Sequence, residues 1–177
     1  FDNTAVALKD LPDGSGTSIG LFILSNNLRH GVQRTVAYLQ KNGVSLRVIS
    51  GDNPDTVRYV AQKAGIADYD KVLTGAQLQK IHKKDWESVV AKTTIFARVL
   101  PEQKERLIAT FQKLGHFTSM VGDGVNDALA LKKADLGVAM YAGSAATRRV
   151  ADIVLLHNSF HSLQPGIGLG SRTMHAR

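Results

Sequence analysis

The sequence predicts an α/β fold, a Rossmann-like parallel sheet with helices on both faces. Three observations carry that expectation. Short apolar runs of strand length alternate with amphipathic stretches of helix length. Gly and Pro punctuate their ends. A composition of 44% hydrophobic and 21% charged residues over 177 positions can bury a real core in one domain. Strands alternating with helices at these lengths imply right-handed βαβ units and hence parallel pairing.

In chain order, Thr4 to Lys9 alternates around Val6 and Leu8 as a strand. Leu11-Pro-Asp-Gly-Ser-Gly16 is a turn cluster, and Ser18 to Ser25 is a buried apolar strand, so the chain starts like a hairpin. Val32, Val36 and Leu39 share one face of a helix that Gly43 stops. Val44 to Ile49 reads as a buried strand ended by Ser50-Gly51-Asp52. Pro54 opens a helix with Val57, Val60, Ala61 and Ala64 inward, ended by Gly65. Val72-Leu73 is a short strand, and Thr74 caps the small helix after it. Lys80 to Lys92 reads as a polar surface segment around Trp86. Thr94 to Arg98 is a strand. Pro101 then opens a helix with Leu107, Ile108, Phe111 and Leu114 inward, ended by Gly115. Phe117, Met120 and Val121 belong to a buried strand. Leu136 to Met140 and Ile153 to Leu156 are two more, separated by a helix near Ala145 to Ala151.

Composition narrows the function. Without cysteine there are no disulfides and no thiolate metal sites, which suits a cytosolic setting. The net charge of +7 is spread out and aromatics are few, a pattern for phosphate ligands or a membrane surface and not for nucleic acid. No apolar run of about 18 residues spans a membrane, and no signal peptide opens the chain. Phe1 as first residue marks an excised fragment.

The chemistry gathers in Ser119-Met-Val-Gly-Asp-Gly-Val-Asn-Asp-Ala-Leu-Ala-Leu131. Gly122-Asp123-Gly124 is a sharp turn at a strand end, and Asp127 opens an apolar helix through Leu131. Ligands of open α/β sheets bind outside the carboxyl ends of the strands. Asp123 and Asp127 there, with Asn126 between, suggest a Mg²⁺ site serving a phosphoryl group; a tight turn with a helix cap is the plainer reading. Ser50-Gly51-Asp52-Asn53-Pro54 is either an ordinary cap or a helix start whose N–H groups and hydroxyl bind phosphate oxygens. Lys104, one turn into its helix, is either a solvated surface lysine or a point cation beside a phosphoryl group.

Gly122-Asp-Gly-Val-Asn-Asp-Ala-Leu-Ala-Leu-Lys-Lys133 resembles the hinge motif of P-type cation-transporting ATPases, members of the haloacid dehalogenase superfamily. The resemblance covers Ile19 to Arg177. Ser50-Gly51-Asp52 matches the family's T-G-D with Ser for Thr, and Ala97 to Lys104 matches A-R-x-x-P-x-x-K. Asn26-Asn-Leu-Arg29 occupies the D-P-P-R position and keeps only the arginine. The resemblance implies Mg²⁺ at Asp123 and Asp127, and phosphoryl binding by Ser50 and Lys104. It further implies loop and water orientation by Asn126 and Asp127, and ATP contacts by Gly51, Asp52 and Arg98. Arg29 is either a nucleotide contact or a surface residue. Asp135 and Asp152 read as strand-edge or cap carboxylates. The string D-K-T-G-T, whose aspartate accepts the γ-phosphoryl in that family, is nowhere in the 177 residues.

The resemblance therefore implies a return segment from the nucleotide domain at 1–18. Residues 19–177 become a phosphorylation-domain portion without its nucleophile, inactive by itself. Its partners would be ATP, Mg²⁺ and the nucleotide, actuator and membrane domains of the same chain. Its setting would be the cytoplasmic side of an integral membrane protein, the fragment itself being soluble. The rivals are a soluble phosphatase of the same superfamily and a non-catalytic Mg²⁺- or nucleotide-binding fragment.

Overall fold

The computed structural model describes residues 3–10, 16–24, 28–157 and 159–163. β1 (Asn3–Asp10) and β2 (Gly16–Leu24) pair antiparallel as the expected hairpin. The turn cluster at 11–15 lies outside the described residues. Then follow α1 (Val32–Lys41), β3 (Val48–Ile49), α2 (Pro54–Ala64), β4 (Val72–Thr74), α3 (Gly75–Gln79) and α4 (Trp86–Lys92). The chain continues through β5 (Ile95–Ala97), α5 (Pro101–Lys113), β6 (Ser119–Gly122), α6 (Ala128–Lys133), β7 (Leu136–Met140), α7 (Ala145–Val150) and β8 (Ile153–Leu155).

Every strand pair after the hairpin is parallel, as the alternation of elements requires. The strands form two sheets, ordered β3-β5-β4 and β6-β7-β8, and not one. Among the described residues β3 and β6 each keep one edge without a strand partner. Helix α5 holds the halves together. Its Leu107 packs with Leu78, Trp86, Val90 and Phe96, while the adjacent Ile108 packs with Met120, Ala130 and Leu131. Ile49 of β3 touches both clusters. Each such large side chain contributes about 1.5–3 kcal/mol by leaving water.

Local chemistry sets most element ends. Pro54 and Pro101 sit in the first turns of α2 and α5, where a missing N–H is harmless. Gly43, Gly65 and Gly115 stop three helices with φ of 77°, 82° and 86°, the left-handed region where a Cβ is penalised. Thr74 and Gln77 cap α3 reciprocally: the Gln77 N–H donates to Thr74 Oγ1, and the Thr74 N–H to Gln77 Oε1.

Three expectations need correction. The strand foreseen at Val44–Ile49 shrinks to two residues, because only Val48 and Ile49 meet β5, and Val44 stays 41% exposed. The segment at Lys80–Lys92 holds α4, whose Trp86 and Val90 are buried. Trp86 donates its indole N–H to Thr110 Oγ1 at 2.7 Å, and the Arg106 guanidinium stacks 3.5 Å from the ring centre. Polar neighbours hid this pair, since a helix of seven residues needs only one buried side. Phe117 precedes the ladder of β6, which starts at Ser119, and is exposed. The apolar helix after Asp127 is α6, which buries Ala130 and Leu131 and leaves Leu129 half exposed.

Candidate functional site

The loops that follow parallel strands lie at the carboxyl end of each sheet. Ser50 follows β3, Arg98 follows β5 and Asp123 follows β6. The residues singled out from sequence fall into two bonded groups.

The first group joins the loops after β3 and β5. The Asp52 N–H donates to Ser50 Oγ at 3.1 Å, closing the turn. Backbone N–H groups of Arg98 and Val99 donate to the carbonyls of Asp52 and Ser50, each at 3.1 Å. Arg98 itself sits at φ 49°, a strained conformation for a non-glycine residue, with its side chain exposed. Gln103 braces this corner by accepting from the Leu100 N–H and donating to the Gly75 carbonyl, both at 2.9 Å. Nothing stands within 4 Å of a Cβ placed on Gly51, so the backbone there is open to an approaching anion.

The second group is the Asp123 loop. Lys104 Nζ donates to Asp127 Oδ1 at 2.7 Å, with both side chains about nine-tenths buried. The pair spans 23 residues and ties the first turn of α5 to the loop after β6. The other oxygen, Asp127 Oδ2, accepts the N–H groups of Gly124 and Asp123 at 3.1 and 3.3 Å. On the far side the Ser144 N–H donates to the Asp123 carbonyl at 2.7 Å. The backbone of Asp123 is therefore held at both its N–H and its C=O. Its carboxylate stays exposed, with no side-chain hydrogen bond or ion pair among the described residues.

This bonding fits a hard cation in part. An open carboxylate on a rigid loop is a Mg²⁺ ligand of the right chemistry. Both oxygens of Asp127 already carry bonds, to Lys104 and to the N–H groups of Asp123 and Gly124. Among the described residues no three His, Asp or Glu gather as a complete metal cluster. Asn126 is exposed in a 3₁₀ turn at Val125–Asp127. Arg29 stands exposed ahead of α1, its carbonyl accepting the Val32 N–H at 3.3 Å.

Two carboxylates do structural work, as their strand-edge positions suggest. Asp135 Oδ2 accepts the N–H and hydroxyl of Thr118 at 2.7 and 2.8 Å, and Oδ1 accepts from Gln112 at 3.1 Å. The Thr118 bonds hold its pKa below the ordinary value of 3.8. Asp152 accepts the Gly137 N–H at 2.7 Å. Away from the site, burial lowers the pKa of Arg47 against the opposing pull of Asp68. The sequence reading missed Gln103, Gly75 and the Gly143-Ser144 contact. A Ser at a helix N-cap was the only local sign of the last.

A family model described as haloacid dehalogenase-like hydrolase matches residues 4–135. The chain belongs to the haloacid dehalogenase-like hydrolase family. Within that family, curated relatives carry the names of cation-transporting ATPases. The chain is 41% identical over 157 residues to "Probable cation-transporting ATPase exp7" of Streptococcus pneumoniae, covering 89% of itself and 20% of that protein. It is 41% identical over 167 residues to the calcium-transporting ATPase CtpE of Mycolicibacterium smegmatis, covering 93% of itself and 21% of that protein. The chain thus spans about a fifth of the length of these relatives. A solved catalytic domain of the CPx-ATPase CopB-B matches with a TM-score of 0.58 over 89% of this chain and 55% of its own. At 24% identity that likeness bears on the fold alone. The motif resemblance to P-type cation-transporting ATPases holds across most of the chain. No helix among the described residues is long and apolar enough to cross a membrane.

Proposed function

We propose that this chain is the phosphorylation-domain portion of an ATP-driven membrane cation pump that works through an aspartyl-phosphate. One observation carries the reading: the buried Lys104–Asp127 pair sits beneath an open Asp123 carboxylate at a strand end. Asp123 would hold Mg²⁺, which when bound neutralises charge on the phosphoryl oxygens. Asp127 keeps the Asp123 loop in place and Asn126 faces solvent beside it, where it can orient water. The Ser50 hydroxyl and the open Gly51 N–H donate to phosphoryl oxygens, and Lys104 supplies positive charge from below. Asp52 and Arg98 face ATP from the loops after β3 and β5, with Arg29 as a further nucleotide contact. Positioned charge of this kind is most of phosphoryl-transfer catalysis.

The nucleophile would come from D-K-T-G-T, which these residues do not contain. The free edges of β3 and β6 support a further parallel strand between the sheets, since one strand ends at Ser50 and the other at Asp123. Residues 1–18 would return from the nucleotide domain, and 19–177 would work with the nucleotide, actuator and membrane domains on the cytoplasmic side. The test is incubation with γ-labelled ATP and Mg²⁺ followed by acid quench. The chain as it stands should retain no label, while a longer protein that adds D-K-T-G-T upstream should retain it. Label on the 177 residues themselves, or none on the longer protein, would sink the proposal.

A further inference from the structure

Asp123 is gripped from a side that its own loop does not explain. The segment after β7, Tyr141 to Ser144, folds back over the Asp123 backbone. A Cβ built on Gly143 would lie 2.6 Å from the Asp123 carbonyl oxygen and 2.8 Å from its Cα, well inside contact distance. Ser144 follows with the 2.7 Å N–H bond to that same carbonyl. The segment is fastened in turn. Arg148, one turn into α7, donates to the carbonyls of Tyr141 and Gly143 and lies 5.6 Å over the Tyr141 ring. Ser144 Oγ caps α7 by accepting the Thr147 N–H at 3.1 Å. Asp127 holds the N–H side of Asp123, and this segment holds the C=O side.

We infer that the Gly143-Ser144 turn is a positioning element for the Asp123 carboxylate, clamping its backbone so that the side chain points at a bound divalent cation. The inference rests on reading Asp123 as the metal ligand. Glycine at 143 lets two backbones touch, and the Ser144 N–H fixes the direction of the Asp123 peptide. Partners that orient a metal ligand are typically worth about 10–100-fold in affinity, and a ligand loop freed on one side loses that benefit without losing the carboxylate.

The experiment uses this chain with Mn²⁺, a hard oxygen-seeking cation whose unpaired electrons broaden nearby amide signals in NMR. In the wild type, broadening should centre on Asp123 and Gly124. Ser144→Pro removes the N–H while keeping a φ near the −65° of Ser144. Ser144→Ala removes the same cap hydroxyl and keeps the N–H, so the difference between the two variants reads the closed N–H contact to Asp123, which proline both removes and pushes apart with its Cδ. The Mn²⁺ dissociation constant should rise about tenfold or more in Ser144→Pro and stay within about twofold in Ser144→Ala. Arg148→Ala, which introduces no clash, should weaken binding in the same direction. Melting temperatures measured on the same samples report any plain structural loss. Equal Mn²⁺ binding in Ser144→Pro and Ser144→Ala overturns the clamp and leaves the metal assignment standing. No broadening at Asp123 in the wild type overturns the metal assignment itself.

Discussion

The loops after β3 and β6 sit at the same end of neighbouring sheets and are held in opposite ways. The Ser50 loop is a shallow turn closed by one side-chain hydroxyl, with open space above Gly51. The Asp123 loop is gripped by a buried ion pair, two N–H groups on Asp127 and the Ser144 N–H. The surroundings follow suit. The first sheet is packed by large side chains such as Phe96, Leu78 and Leu107, and Phe96 meets Phe111 edge-on at 6.5 Å. The second mixes sizes, with Ala130, Val138 and Ala139 fully buried beside Ile108, Met120 and Leu131. A loop over a large apolar core can be left open because the core already fixes the strand beneath it. The Asp123 loop carries polar bonds of its own, which hold its backbone at both the N–H and the C=O.

The largest expected effect separates the two acids of the second loop. Lys104→Ala would leave Asp127 charged and unpaired in a nearly dry site, which costs about 3 kcal/mol or more. Asp123→Asn touches an exposed group and should stay within about 0.5 kcal/mol of the wild type. Urea unfolding of both variants measures this. Similar losses for the two would erase the distinction between a ligand and its support. A solvated Lys104 would have predicted no loss at all, so this measurement also judges its burial.

A middle-sized effect sharpens the other loop. Gly75→Ala would drive a Cβ into the Arg98 carbonyl and the Gln103 side chain. Overpacking of this kind costs about 1–3 kcal/mol, and the strained Arg98 corner should shift with it. Gly51→Ala faces empty space and should change stability by less than about 0.5 kcal/mol. In thermal unfolding, a loss in Gly51→Ala as large as the roughly 1–3 kcal/mol expected of Gly75→Ala would mean the first loop is as tightly built as the second.

The smallest effect is a matter of pH. Asp135 has a lowered folded-state pKa, so its contribution is present above the ordinary value of 3.8 and fades as pH falls through the lower folded value. The melting temperature of Asp135→Asn should therefore sit below the wild type above about pH 5, and the gap should close on descending below pH 4. A gap that stays constant down to pH 2 would remove the Thr118 clip from the account of the second sheet.

Legibility in the sequence tracked the range of the interaction. Helix stops at Gly43, Gly65 and Gly115, starts at Pro54 and Pro101, and the Thr74 cap all involve residues within one turn of each other, and all appear where the sequence puts them. The strand-end position of Asp123 was equally local. Trp86, shortened β3 and the burial of Asp127 were not. Each depends on a partner far along the chain: Thr110 for Trp86, β5 for β3, Lys104 for Asp127.

By itself the sequence determined which residues could do chemistry here: two acids, a serine and a lysine, each placed at a strand end or helix start by neighbours a few positions away. Only the tertiary structure decided which acid is open. Asp123 and Asp127 are four residues apart and chemically alike, so no local rule ranks them. The choice falls to Lys104, 23 residues before Asp127, and to Ser144, 21 residues after Asp123. A carboxylate given three donors in a buried place is fixed by them, and its neighbour, bonded only through its backbone, leaves its charge open to solvent.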